Sequence, residues 1–348
     1  MPNLLLPNTR NYVLGILVSV LGGALCAWLK TPLPWMIGPL LAMAICNFSG
    51  ARLAAPPLAR ELGQVFIAIT LGLYFTPVVA GEVLRNAAVL VVAAFGAIVV
   101  GYIGGRALAA SAGIDGATAF FASVPGGAME MANLAERFGA SVDKVAVAHS
   151  LRILMVVCIT PVALTLAGAH GGDVYQPVRI SLDWAKLPVM FAIAGVGGLI
   201  FSRLRFPNPW MMGPLMATIL TTASGLEFSS MPGWLTNCGQ VFLGCALGSR
   251  FSRGFLRDAP RFVIAVLACV VLTMLLSAGM GWGLAHAAGI YAPSMILATA
   301  PGGIAEMSIT ARTLQLGVAL VTAAHVTRVL IILMFTHPLY RYLLRRNA

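Results

Sequence analysis

The chain has 348 residues, 59% hydrophobic and 9% charged, with mean hydropathy +0.91 and formal charge +11. A soluble domain carries about 25% charged residues, so this composition excludes a free-standing soluble protein. The basic residues stand singly between apolar runs, a pattern that sets membrane topology, and no nucleic-acid partner is expected.

Taken in chain order, apolar segments are expected at about 11–29, 34–50, 61–80, 86–110, 115–137 and 144–168. A polar linker follows at about 170–186, then six more segments at about 187–202, 209–226, 238–250, 262–287, 294–311 and 315–340. Arg10 precedes the first apolar stretch, as in a signal peptide, but many spans follow and the stretch reads as a retained first helix. Six cysteines occur without a CxxC pair, which indicates neither a thiolate metal site nor a disulfide framework.

The two sets of six repeat each other. Pro34-Trp-Met-Ile-Gly-Pro-Leu40 recurs as Pro209-Trp-Met-Met-Gly-Pro-Leu215, and Gly63-Gln-Val-Phe66 as Gly239-Gln-Val-Phe242. Pro125-Gly-Gly127 with Glu130 recurs as Pro301-Gly-Gly303 with Glu306, and His149 and Arg152 as His325 and Arg328. Four blocks in one order at nearly one offset indicate a duplication: repeat 1 over 1–169, a linker over 170–186 and repeat 2 over 187–348.

The Pro-Gly-Gly triplets cut the fifth segment of each half. It is either a broken helix that crosses or a hairpin that returns to its own side. Loop charges decide. If it crosses, both halves share one orientation and basic residues show no bias. If it is re-entrant, the second half is inverted. Arg10, Arg52, Arg60, Arg106, Arg137, Lys144, Arg203, Arg205, Arg250, Arg253, Arg257, Arg261, Arg341, Arg345 and Arg346 then lie inside. Only Lys30, Arg85, Arg179, Lys186 and Arg312 lie outside, as the positive-inside rule requires. The expected fold is an all-α polytopic membrane protein. It has two inverted-topology repeats, each of about five transmembrane helices plus a re-entrant Pro-Gly-Gly hairpin, with both termini cytoplasmic.

Inverted repeats with discontinuous helices are the architecture of many secondary transporters, whose sites lie near the midplane. The expected substrate-binding residues are Pro125, Gly126, Gly127 and Arg152 with Pro301, Gly302, Gly303 and Arg328. Each tip opens a half-helix whose free N–H groups favour an anion; alternatively, neighbouring side chains satisfy it and the break serves packing. Arg152 and Arg328 fall mid-span, where a charge needs a partner or a wet cavity. Glu130 and Glu306 either pair with them, pinning each hairpin to the last span, or act directly on the substrate, and they are also the candidates that couple transport to an ion, a proton or sodium. His149 and His325 share a helix face with the arginines and are secondary to them. Gln64 and Gln240 are read as packing polar groups with a possible solute contact.

The duplicated Pro-Trp-x-x-Gly-Pro and Pro-Gly-Gly-x-x-Glu-Met blocks resemble those of the AbrB-duplication family of bacterial membrane proteins, over essentially the whole chain. The resemblance implies a bacterial inner-membrane protein. It brings two labels, ammonia monooxygenase and regulator of aidB expression, and no agreed site residues. A copper or iron oxygenase needs clustered His and carboxylate ligands, and His149, His170, His286, His325 and His337 show no such spacing. No cofactor motif and no Walker motif appear. The expected function is therefore secondary transport of a small anionic solute, with two alternatives: a membrane sensor that affects gene expression without flux, and, below it, the membrane-bound monooxygenase of the label. The bilayer is a partner, and a homo-oligomer is possible.

Overall fold

The computed structural model describes residues 9–171, 181–226, 229–251 and 260–347, with 337 and 341–347 by backbone alone. Most of the linker, with Arg179, and the loop basic residues Arg253 and Arg257 lie outside the described residues, as do the side chains of Arg341, Arg345 and Arg346. The described residues form fifteen α-helices and no strand. The first half contains α1 (Thr9–Trp28), α2 (Pro34–Phe48), α3 (Ala59–Gly72), α4 (Pro77–Arg85), α5 (Ala87–Ala112), α6 (Gly116–Ser123), α7 (Ala128–Arg137) and α8 (Val142–Leu166). The second contains α9 (Leu187–Arg203), α10 (Pro209–Ala223), α11 (Gly233–Gly248), α12 (Pro260–Ala288), α13 (Ala292–Thr299), α14 (Ile304–Thr313) and α15 (Val318–Asn347).

This is a multi-pass membrane protein by the length and composition of its helices. Helices α1, α5, α8, α12 and the Val318–Thr336 part of α15 are long and apolar enough to cross, and α3 with α4 makes a sixth if the pair is one span. At 15 and 17 residues, α2 and α9 are shorter, about 22–26 Å at 1.5 Å per residue against a core of about 30 Å. A full set of ten crossings depends on such short helices.

Three segment boundaries differ most from the sequence reading, and one is that the last helix runs on to Asn347, past the expected end near 340. The third segment breaks after Gly72 and restarts at Pro77. Thr76 caps the new helix by accepting from the Val79 amide at 3.4 Å, and Pro77 suits its first turn. The corresponding segment of the second half starts earlier than expected, at Gly233.

Contacts divide the chain into two compact units, each drawing on both halves. The first spans Met1–Leu73, Arg179–Leu220 and Glu227–Asp258; the second spans Tyr74–Val178, Thr221–Leu226 and Ala259–Ala348.

Glycine contacts join the helices of the first unit. A β-carbon at Gly38 would lie 2.3 Å from the Gly22 carbonyl oxygen, and one at Gly213 would lie 2.3 Å from that of Gly197. Small residues at such crossings let backbones touch where no hydrophobic effect drives association. Trp35 lies over Gly23 and Trp210 over Gly198 in the same manner. Between α3 and α11, Gly63 faces Gly239 and Leu243, Gly239 faces Phe66 and Ile67, and the hydroxyls of Thr70 and Thr236 are 3.1 Å apart. Positions rise along α3 as they fall along α11, so the two helices run antiparallel.

The second unit repeats that relation. On α5, Gly96 meets Met280 of α12, whereas Gly104 meets Thr273 and accepts a hydrogen bond from Cys269 at 3.2 Å. α5 and α12 occupy corresponding positions in the two halves and run antiparallel. Both broken segments belong to this unit.

Candidate functional site

Each broken segment doubles back on itself. Asp115 caps α6 by accepting from the Thr118 amide at 2.8 Å. The helix stops at Val124 because Pro125 has no N–H to continue it. After Gly126-Gly127, α7 returns. The Ser141 amide, just past the hairpin, donates to the Thr118 hydroxyl near its start at 2.9 Å, and the rings of Phe121 and Phe138 stack at 5.7 Å. The second segment is closed by the matching bond, from the Gly317 amide to the Ser294 hydroxyl at 3.0 Å. Both are hairpins and not helices that run straight on.

A break leaves carbonyls at the end of the first arm without helical donors. The next helix supplies them. Arg152 of α8 donates from Nη1 to the Val124 carbonyl at 3.1 Å and from Nη2 to that of Gly126 at 3.3 Å. Arg328 of α15 donates likewise to Ala300, at 2.7 Å, and to Gly302. One turn earlier, His149 Nε2 meets the Phe121 carbonyl at 2.9 Å and His325 Nε2 that of Leu297 at 3.2 Å. A carbonyl only accepts, so Nε2 carries the proton in both rings. A cation at a helix C-terminus is also favoured by the aligned peptide dipoles. The arginines are 5% and 4% exposed, and the Nε of each has no hydrogen-bond partner among the described residues.

The carboxylates sit at the other side of each break. Glu130 and Glu306 are the third residues of α7 and α14, whose N-caps are Gly127 and Gly303. A β-carbon at 127 would fall 1.7 Å from Glu130 Oε2, and one at 303 would fall 2.0 Å from Glu306 Oε2. Each side chain therefore folds back over its N-cap glycine. Glu306 is buried and Glu130 half-buried. Glu306 interacts electrostatically with both Arg152 and Arg328, and the two guanidinium groups interact with each other. One carboxylate thus lies within electrostatic range of the arginines of both halves.

Beside Arg152 is a cavity of about 10 Å³, also lined by Ser123, Cys269 and Thr273. That is room for about one water. Ser123 and its counterpart Thr299 were not singled out from the sequence. Ser123 Oγ is 3.8 Å from Cys269 Sγ, and Thr299 donates to the Ser277 carbonyl at 2.9 Å. The available signal was a hydroxyl residue two positions before the proline in both halves.

A family model described as "Transition state regulatory protein AbrB" matches residues 7–344. The chain belongs to that AbrB family. Two relatives match nearly end to end. "Uncharacterized protein YhjN" of Bacillus subtilis strain 168 is 26% identical, with 94% of this chain and 92% of the relative covered. "Putative regulator AbrB" of Escherichia coli K12 is also 26% identical, with 95% and 94% covered. In this AbrB-family chain, no three His, Cys, Asp or Glu side chains among the described residues group as metal ligands. Gln64 and Gln240 are buried on α3 and α11 and belong to the first unit, not to the unit that holds the hairpins.

Proposed function

We propose that this AbrB-family protein is a secondary transporter of a small anion, a carboxylate in the simplest case, bound between the two Pro-Gly-Gly tips. The carrying observation is the buried pair Arg152 and Arg328, each with an Nε–H that no atom among the described residues accepts. Both buried guanidinium groups interact electrostatically with one buried carboxylate, Glu306. Among the buried groups of the described residues this leaves one uncompensated positive charge, which is costly inside a membrane and which one monoanion would neutralise, since Glu130 is only half-buried.

The antiparallel pairs α3–α11 and α5–α12 support inverted repeats, and the loop charges support cytoplasmic termini in a bacterial inner membrane. Proton coupling follows if the solute draws an arginine away from Glu306, which then binds a proton. Sodium is the rival ion. No enzymatic step is proposed.

A second reading, a membrane sensor without flux, is favoured by the word "regulator" in the name of the Escherichia coli relative. Reconstituted protein separates the two. We expect saturable uptake of at least one member of a panel of radiolabelled mono- and dicarboxylates. Arg152→Gln and Arg328→Gln should weaken it far more than they weaken folding, read by circular dichroism and gel filtration, because a glutamine amide can still donate to a stranded carbonyl. Binding without uptake selects the sensor. Neither binding nor uptake for any anion tested means that the arginines only close the hairpins. Glu130→Gln and Glu306→Gln test coupling. At least one should still exchange solute but no longer accumulate it, whereas uptake that follows sodium and ignores pH rejects the proton.

A further inference from the structure

The two hairpins match in their hydrogen bonds but not in their surroundings. α14 is buried from Ile304 through Ala311. α7 buries only Met131 and Ala135. Its open side carries Glu130, Asn133 and Arg137, one stripe of a helix by their spacing. Beside them Met129 is 64% exposed, whereas the counterparts of Met129 and Asn133, Ala305 and Ile309, are 7% and 1% exposed. Gly127 at the first tip is exposed, and Gly303 at the second is half-buried.

A carboxylate, an amide and a guanidinium on one open helix face do not lie against hydrocarbon, where each unsatisfied polar group costs several kcal/mol. The stripe runs along α7 from the hairpin tip to Arg137 at its far end. We propose that this face of α7 lines a water-filled route from the cytoplasmic surface to the first Pro-Gly-Gly tip. Its buried counterpart α14 is the matching route from the outer surface, closed in this conformation. The inference rests on the transport reading and adds the path, its side and the state, which is inward-open. Two like hairpins held in unlike surroundings define one end of a cycle. In the other end state α14 is wetted and α7 is buried. Both open at once would make a leak.

Thiol accessibility tests this in the full chain. Asn133→Cys, Met129→Cys and Ile309→Cys are labelled with a charged, membrane-impermeant methanethiosulfonate in inside-out and right-side-out vesicles. The unsubstituted protein gives the background of its native cysteines. Cysteines at 133 and 129 should react in inside-out vesicles only, and one at 309 in neither. Reaction of the α7 cysteines only with a lipid-soluble maleimide, or only from the outside, overturns the route. So does a disulfide between residues 133 of two copies, which would make the face a protein interface. Amide exchange needs no substitution and should be faster in α7 than in α14; equal protection of the two also overturns it. Failure here is separable from failure of the transport reading. Flux with lipid-only labelling removes the route alone, and the expected labelling without flux removes transport alone.

Discussion

At the scale of single residues, the site depends on side chains that lean back over their own chain breaks. Arg152 and Arg328 hold the carbonyls that each proline strands, and Glu130 and Glu306 lie on the glycines that open the returning arms. The glycines are needed because of that last contact. Gly303→Ala should destabilise the protein by about 1–3 kcal/mol, the usual cost of overpacking, because Glu306 is buried and has nowhere to go. Gly127→Ala should cost less, since the half-buried Glu130 can swing outward. Thermal unfolding in detergent measures both, and equal losses would mean that the carboxylates are equally confined. The sequence showed these residues as recurring blocks, so their identities were legible. The direction of the arginines was not. Nothing in the spacing of Glu130 and Arg152 reveals that the guanidinium reaches the carbonyls of Val124 and Gly126 across 28 and 26 residues.

At the scale of elements, the first hairpin is tied more heavily at its base than the second. Phe121, Phe138 and Tyr340 gather with ring centroids 4.8–5.7 Å apart, and Phe120 lies 5.2 Å from Tyr340. The matching residues Ile296, Leu297, Leu314 and Leu164 are aliphatic. Asp115 starts the first arm. Partial burial raises its carboxyl pKa, but hydrogen bonds from Thr118 and the charge of Lys144 outweigh that and hold it below the ordinary 3.8. A depressed folded pKa gives stability that is present above the ordinary value and lost as pH falls through the folded one. Asp115→Ala should therefore cost about 1 kcal/mol near neutral pH, as for a lost N-cap. The Tm values of variant and wild type should converge as pH falls below 3.8; a constant gap would place the effect outside the carboxylate. Pro-Gly-Gly announced a break in the sequence, but hairpin and broken crossing looked alike. The closing bonds from Ser141 to Thr118 and from Gly317 to Ser294 join residues 23 positions apart, which no local pattern specifies. The break at Thr76-Pro77 was hidden for a simpler reason: a capping signal inside a run of apolar residues does not interrupt the run.

At the scale of the molecule, repeats and compact units cut the chain differently. The first unit takes α1–α3 with α9, most of α10 and α11; the second takes α4–α8 with α12–α15. The duplication was plain in the sequence, whereas this exchange of partners was not, because it depends on which helices pair between halves. If the repeats are inverted, single cysteines beside Arg137 and Arg312 should be labelled from opposite sides of the membrane, with Arg137 cytoplasmic and Arg312 external. Cysteines beside Arg106 should label with the former. Labelling of 137 and 312 from one side would refute inversion.

The arginine clamp also sets an order of assembly. Each hairpin leaves the ribosome before the residue that completes it, with 28 positions between Val124 and Arg152 and again between Ala300 and Arg328. At about 5–20 residues per second that is a delay of roughly 1–6 s. During it the broken backbone carries carbonyls that lipid cannot satisfy. A nascent hairpin must therefore wait in the wet interior of the insertion machinery, or at the membrane surface, until its last helix arrives. Chains stalled between the tip and the arginine should be the ones that quality control recognises and removes.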